Sequence, residues 1–138
     1  MGLHVSYCAD WGLTEAEMAA ASEATQTMAY TRYVLEAGQA GDLLDLYVAL
    51  APCVVGYGEI GSWLAADPDT VMQGNPYASW IEMYAGDEYQ DVARGAVDQL
   101  ERLAGDRVTE VREVELTRTF SEATRLEIGF WQMGLDAV

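Results

Sequence analysis

The chain has 138 residues, and 51% of them are hydrophobic, so it is long enough for one domain and too apolar to be disordered. Its 23 acidic residues outnumber seven basic ones, which are all arginine, and the net charge is −16. A field of that sign repels phosphate backbones and anionic lipids, so we expect no nucleic-acid or membrane partner. Charged and glycine residues interrupt the apolar runs, and we expect no segment long enough to span a membrane.

The cysteine and histidine content argues against two common kinds of site. Cys8 and Cys53 lie far apart, without a CxxC pair, and His4 is the single histidine. This pattern favours neither a disulfide framework nor a zinc centre, so no metal or cofactor is expected. The first residues carry no basic and apolar signal-peptide pattern, which favours a cytoplasmic protein.

The absence of lysine suggests a second hypothesis about the surface. Acidic residues are spread along the chain, which is typical of solvated helix faces. We interpret this as adaptation to a salt-rich cytoplasm. The alternative is an ordinary acidic protein from a GC-rich genome.

Hydrophobic periodicity predicts helices almost throughout, with no alternating strand pattern and no internal repeat. Residues 3–10 fit a helix but have no cap before them, which suggests that helical sequence precedes them. Thr14 begins a capping box and a short helix. The later helices are predicted from Thr25 to Ala37, from Gly41-Asp42 to Ala66, from Asn75-Pro76 to Tyr84, from Gly86-Asp87 to Ala104 and from about Val108 to Asp136. Together they predict a single all-α domain over residues 1–138.

The apolar run Leu50–Glu59 contains the first candidate site residue, Cys53. Pro52 lacks an N–H and is expected to kink the helix just before the thiol. Tyr57 follows Cys53 by four residues and shares its helix face. A structural thiol in the core is the alternative, and the two interpretations are about equally supported.

Glu127 is the second candidate because its neighbours are mostly apolar. Phe130 and Trp131 follow Glu127 by three and four residues. They are expected to lie on the same helix face and to exclude water from its carboxyl group. The residue is therefore either a desolvated acid with a raised pKa or a surface residue, which pairs with Arg125 or occupies an exposed helix position.

Three tyrosines form the third candidate. Tyr30, Tyr57 and Tyr84 lie on three different predicted helices. If they converge, they suit a flat heteroaromatic ligand, whereas most tyrosines are simply amphipathic packing residues.

In these residues the chain resembles the thiaminase II (TenA) family over nearly its whole length. The matching segments are Leu3-His4, Ala29-Tyr30-Thr31, Pro52-Cys53, Gly56-Tyr57, Glu59-Ile60-Gly61, Asn75-Pro76-Tyr77, Trp80-Ile81, Tyr84, Glu127, Phe130-Trp131 and Met133. The resemblance implies a helical bundle of the haem-oxygenase type without haem. It also implies a homotetramer with a pocket for a 4-aminopyrimidine.

The resemblance also assigns roles to individual residues. Cys53 matches the nucleophile and Glu127 the acid/base, which places the chain in the Cys-type branch. Tyr57 matches the phenol that orients the acid or the ring, and Tyr30, Tyr84 and Phe130 match the walls of the pyrimidine site. The implied activity is aminopyrimidine aminohydrolase, which releases hydroxymethylpyrimidine from aminomethylpyrimidine, or more slowly from thiamin, in thiamin salvage.

The resemblance covers only the C-terminal part of a family member. The upstream helices, with an aspartate that binds the aminopyrimidine, have no counterpart in this sequence. We therefore expect one of three situations: the helices form a separate N-terminal segment on another chain, the domain is truncated at its N-terminus, or the protein is a non-catalytic, pyrimidine-binding or structural subunit.

Overall fold

In a computed structural model, which describes residues 2–105 and 108–136, the protein is an all-α bundle with no strand among those residues. Its helices are α1 (Gly2–Asp10), α2 (Glu15–Ala20), α3 (Thr25–Ala40), α4 (Leu43–Ala66), α5 (Ala78–Ala85), α6 (Asp87–Ala104) and α7 (Glu110–Asp136). This confirms the predicted fold class. The ends of the expected 1–138 domain, at Met1, Ala137 and Val138, lie outside the described residues.

Helix α4 is the centre of the bundle and contacts α3, α5, α6 and α7. Asp42 caps it, because the Asp42 carboxylate accepts the Leu44 N–H at 2.8 Å while the Asp45 carboxylate accepts the Asp42 N–H at 2.8 Å. The helix continues through Pro52, whose missing N–H leaves the Val48 carbonyl without its usual intrahelical donor.

The expectation that no segment could span a membrane was wrong for α4. By length and composition this helix, Leu43–Ala66, is long and apolar enough to cross a bilayer. The core helix of a globular bundle passes the same test, since it needs apolar side chains on several faces. Helix α4 contacts four other helices, and 28% of its apolar stretch is buried within the described bundle.

Two predicted helix ends were wrong because tertiary contacts determine the local geometry. Gly38 does not end α3, which continues to Ala40; a Cβ at Gly38 would lie 2.9 Å from Leu46 Cδ1, so glycine permits close approach of α4. Asn75 does not cap α5. Its side-chain oxygen accepts the Tyr77 N–H at 2.9 Å in a turn, and the helix begins at Ala78.

Two other helix starts follow local capping chemistry. Thr14 forms the predicted capping box, accepting the Glu17 N–H at 3.2 Å while Glu17 accepts the Thr14 N–H at 2.8 Å. Helix α7 begins at Glu110, slightly after the predicted start. The Thr109 hydroxyl accepts the Arg112 N–H at 3.3 Å there, as an N-cap side chain does.

A small apolar core joins α3, α4 and α7. Its buried members are Tyr30, Val34, Ala37, Ala49 and Ala123. Ala49 and Ala123 are fully buried, so the helix backbones approach closely at this level. Cys53 and Leu126 pack against the same cluster, which places the candidate thiol at the edge of the core.

An ion-pair network fastens the start of α4 to α7. Arg112 Nη2 bonds to the buried carboxylate of Asp45 and lies 3.4 Å from Asp42 Oδ1, and Arg112 Nη1 lies 3.6 Å from Glu115 Oε2. The hydrogen bond from Arg112 holds the pKa of Asp45 below its ordinary range. The network therefore links two helices that carry candidate site residues.

We expect Arg112→Met to lower the free energy of unfolding by about 1–2 kcal/mol at pH 7, since Asp45 keeps its charge without its main partner. The contribution of Asp45 is fully present above its unfolded pKa of about 4 and is lost as pH falls through its lower folded pKa. Urea unfolding at pH 7 and pH 3 measures the difference. Arg94→Met is the matched control, because Arg94 and Asp91 are both exposed. Equal losses in the two variants at pH 7 would contradict the assignment.

The net charge predicts a folding transition that depends on salt. Like charges repel one another less as the Debye length falls from about 10 Å at 0.1 M to about 3 Å at 1 M ionic strength. We expect Tm to rise steeply over this range and more slowly above it, as thermal melts monitored by circular dichroism would show. A melting curve insensitive to salt would refute the halophilic interpretation.

Candidate active site

Helices α3 and α4 bring Tyr30 and Cys53 together at the edge of the core. The Tyr30 hydroxyl donates to the Ala49 carbonyl at 3.3 Å, and the Cys53 thiol donates to the Leu50 carbonyl at 3.2 Å. Tyr30 is buried, whereas Cys53 is half-buried. The thiol therefore lies within the bundle but retains some accessibility.

Glu127 enters the same region from α7. Only 7% of this residue is exposed, and its Oε2 atom is buried with no hydrogen-bond partner among the described residues. Burial raises the pKa of the Glu127 carboxyl, while the nearby Tyr57 and Tyr30 hydroxyls oppose the rise. Because buried polar atoms are almost always paired, an orphaned carboxylate oxygen indicates a place for a ligand or a proton. The surface alternative with Arg125 is wrong, since Arg125 pairs with Glu122.

Burial also raises the pKa of the Cys53 thiol, and the Glu127 charge adds to this effect while the Tyr30 hydroxyl opposes it. A thiol in this environment is protonated at neutral pH and needs a proton acceptor to become nucleophilic. The charge of Glu127 contributes to the raised pKa of Cys53, so the two groups lie in the same region of the bundle.

An aromatic cluster forms the wall beside Glu127. The ring of Tyr57 lies 5.3 Å from Tyr84, 5.4 Å from Trp131 and 5.9 Å from Trp80, measured between centroids. Trp80 and Tyr84 lie 4.4 Å apart on α5. Burial raises the pKa of Tyr57, with a further contribution from Glu127, so its hydroxyl remains a hydrogen-bond donor.

Comparison with known proteins identifies the family. The model of the TENA/THI-4/PQQC family matches residues 1–137, almost the whole chain. The chain belongs to the TENA/THI-4/PQQC family. This confirms the resemblance to TenA proteins that the site residues suggested.

Individual similar proteins support the same conclusion. An aminopyrimidine aminohydrolase from Halalkalibacterium halodurans is 36% identical over 137 residues, which are 99% of this chain and 60% of the relative. A Haemophilus influenzae protein is 40% identical over 134 residues, covering 97% of this chain and 61% of its own length. The crystal structure of a TenA family transcription regulator from Silicibacter sp. TM1040 has a TM-score of 0.88 at 43% identity, covering 98% of this chain and 60% of that one. The chain thus spans about three fifths of the length of these relatives.

Within the candidate site, Trp80 and Trp131 are wall residues to which the sequence assigned no role in ligand binding. Both pack on Tyr57, and Trp80 lies one helical turn before Tyr84 on α5. That spacing of four residues was a usable signal for a shared face. Phe130 is half-buried on α7 but forms none of the aromatic pairs found among the described residues. Its role as a wall of the site therefore stays a prediction.

An open apolar groove of about 790 Å³ adjoins this cluster. Trp80 and Trp131 form part of its wall, and Cys8 also borders it. Cys8 is half-buried. Within residues 2–105 and 108–136, no group of three or more His, Cys, Asp or Glu side chains could hold a metal ion.

Proposed function

We propose that this chain carries the nucleophile and the acid/base of an aminopyrimidine aminohydrolase of thiamin salvage. The observation that carries the proposal is the buried Glu127 Oε2 atom, which has no hydrogen-bond partner within residues 2–105 and 108–136. Glu127 lies in the same region as Cys53, Tyr30 and Tyr57. The aminohydrolase from Halalkalibacterium halodurans, a relative of 36% identity, supports the substrate class.

The proposed reaction begins with transfer of the Cys53 thiol proton to Glu127. The thiolate adds to an electron-poor ring carbon of aminomethylpyrimidine, and the electrons displace the amine from the exocyclic methylene. Glu127 gives its proton to the departing amine, so that ammonia leaves. A carboxyl with a raised pKa suits this step, because it is protonated at a pH where an ordinary glutamate is not.

The second half of the reaction restores the enzyme. The Glu127 carboxylate takes a proton from water, and the hydroxide adds to the exocyclic methylene. Expulsion of the Cys53 thiolate restores the aromatic ring, and Glu127 returns a proton to the sulfur. The balance is aminomethylpyrimidine plus water giving hydroxymethylpyrimidine plus ammonia, with no redox change.

The tyrosines have supporting roles in this scheme. Burial raises the pKa of both Tyr30 and Tyr57, so both phenols stay protonated. The Tyr57 hydroxyl can donate to the Glu127 carboxylate, while the Tyr30 hydroxyl donates to the Ala49 carbonyl. The flat faces of Tyr57 and Tyr84 suit an aromatic ring, since offset and tilted stacking is favourable for such pairs. Tyr30, Tyr57, Tyr84 and Phe130 are the proposed contacts of the pyrimidine.

A second candidate is a pyrimidine-binding or structural subunit that does not turn over alone. No cationic side chain among the described residues lowers the pKa of the Cys53 thiol, so no positive charge in the bundle itself favours the thiolate. Large exposed apolar side chains, such as Trp63 at 67% and Leu135 at 70%, favour association with further protein. A homotetramer or a separate N-terminal segment would cover such surface.

We also propose a cytoplasmic location for this protein.

Incubation with aminomethylpyrimidine separates the two candidates. Chromatographic detection of hydroxymethylpyrimidine together with ammonia would support the aminohydrolase. Binding measured by titration calorimetry, without product even under single-turnover conditions, would support the second candidate. A chain that neither binds nor converts the compound would contradict both the aminohydrolase and the pyrimidine-binding subunit, and would favour a structural subunit.

A further inference from the structure

The first turns of α6 hold the aromatic wall in place. Within α6, Gln90 is half-buried and its Nε2 group donates to two carbonyls on two other helices. One acceptor is Gly58 O of α4 at 3.0 Å, and the other is Tyr84 O of α5 at 2.8 Å. A single side-chain amide therefore joins three helices.

The Tyr84 carbonyl needs such a donor. It lies in the last turn of α5, where the final four carbonyls have no intrahelical partner. The helix ends at Ala85, so α5 itself provides no N–H for this group. Since both amide hydrogens of Gln90 are used, replacement by an apolar residue leaves a carbonyl of a wall residue without its donor.

The contact between α4 and α5 is close enough to transmit this constraint. A Cβ at Gly61 would lie 2.6 Å from Tyr84 Cβ and 2.8 Å from the Tyr84 carbonyl carbon. Glycine at position 61 thus lets the α5 backbone rest directly on α4. At this distance a small slide of α5 changes the position of Tyr84 against Tyr57.

Tyr89 supports the same junction from the preceding position. Its hydroxyl donates to the Val54 carbonyl at 3.0 Å, and its ring meets that of Tyr84 edge-on at 4.5 Å. Burial raises the pKa of Tyr89 to about 12, so the phenol remains a donor at physiological pH. Val54 follows Cys53 directly, so α6 contacts α4 beside the candidate nucleophile.

We propose that Gln90 is a positioning residue of the pyrimidine site. By fixing the end of α5 on α4, it sets Tyr84 against Tyr57 and so holds the Tyr57 phenol beside Glu127. This inference rests on the proposed function for its ligand, but the positioning of the rings is a property of the protein itself. The wall it sets suits a flat aromatic ring, because aromatic faces stack favourably on such rings.

The test uses Gln90→Met, which keeps the length of the side chain and removes both donors. The control is Gln132→Met, since Gln132 is exposed and donates only to Asp136 on its own helix. Near-UV circular dichroism reports the packing of the tilted rings, and far-UV circular dichroism reports helix content. We expect Gln90→Met to lose much of the near-UV signal with unchanged helicity, and the control to lose none.

Ligand affinity provides the second readout. Aminomethylpyrimidine should bind Gln90→Met about tenfold more weakly than the parent, the size expected from the loss of one to two hydrogen bonds. Failure of the parent to bind would contradict the proposed function, while the near-UV comparison still decides the positioning role. Parent-like near-UV signal in Gln90→Met, or parent-like affinity where the parent binds, would overturn the inference.

A further variant, Gln90→Glu, distinguishes the loss of the hydrogen-bond donor from a general packing defect in Gln90→Met. Its carboxyl has the shape of the amide, donates one hydrogen bond when protonated and donates none when ionised. The near-UV signal, relative to the parent at the same pH, should therefore recover partly at acidic pH in Gln90→Glu and not in Gln90→Met. If the near-UV signal of Gln90→Glu, divided by that of the parent, does not change with pH, the proposed role of the Gln90 amide as a hydrogen-bond donor is contradicted.

Discussion

Replacement of Cys53 by serine is expected to abolish release of hydroxymethylpyrimidine while pyrimidine binding stays nearly intact. The change removes the sulfur nucleophile, and a serine hydroxyl without a strong neighbouring base is a poor substitute. Packing should change little, because the thiol is half-buried and a hydroxyl can still donate to the Leu50 carbonyl. Product chromatography and calorimetric titration measure the two effects.

Cys8→Ser is the matched control for this experiment. Cys8 is also half-buried, but it borders the apolar groove and not the Glu127 region. The control should keep parent activity and should leave a single thiol for alkylation, at Cys53. Turnover by Cys53→Ser at the parent rate would show that Cys53 is only a packing residue.

Local chemistry made most of the fold predictable. Thr14 and Asp42 begin helices through capping boxes, and each capping box involves only residues within one four-residue segment of the sequence. The failures at Gly38 and Asn75 have a different origin. Gly38 is required by the approach of Leu46 from another helix, and the Asn75 side chain closes a turn before α5 begins. A single sequence does not display contacts between helices, so glycine there was indistinguishable from a helix stop.

The candidate site was predictable to the extent that helical spacing controls it. Tyr57 follows Cys53 by one turn, and an acid among apolar residues at Glu127 indicated desolvation, which its 7% exposure agrees with. The neighbours supplied by other helices were harder to predict. Trp80 joins the wall because α5 packs on α4 at Gly61, and Gln90 matters only because two carbonyls from different helices meet its amide.

Glu127→Gln is expected to lower kcat by about 10² to 10⁴, the usual range for loss of a general acid/base. The amide can neither receive the thiol proton nor protonate the departing amine. The pH–rate profile should lose the limb that belongs to Glu127. Because burial raises the pKa of this carboxyl, that limb should lie above the ordinary glutamate range. An unchanged profile would assign the limb to another group.

The same substitution should make the protein more stable at neutral and alkaline pH. A carboxyl whose folded pKa is raised contributes stability that is fully present below its unfolded pKa of about 4.3 and is lost as pH rises through the folded pKa. Glutamine has no charge to bury. At a pH above the folded pKa of Glu127, Glu127→Gln should therefore raise Tm by a few degrees, whereas near pH 4 it should leave Tm nearly unchanged. Glu122→Gln is the control, since Glu122 pairs with Arg125 at the surface. A variant that is inactive but no more stable at pH 8 would show that the parent site does not hold a destabilised carboxylate, and the buried Oε2 atom would need another explanation.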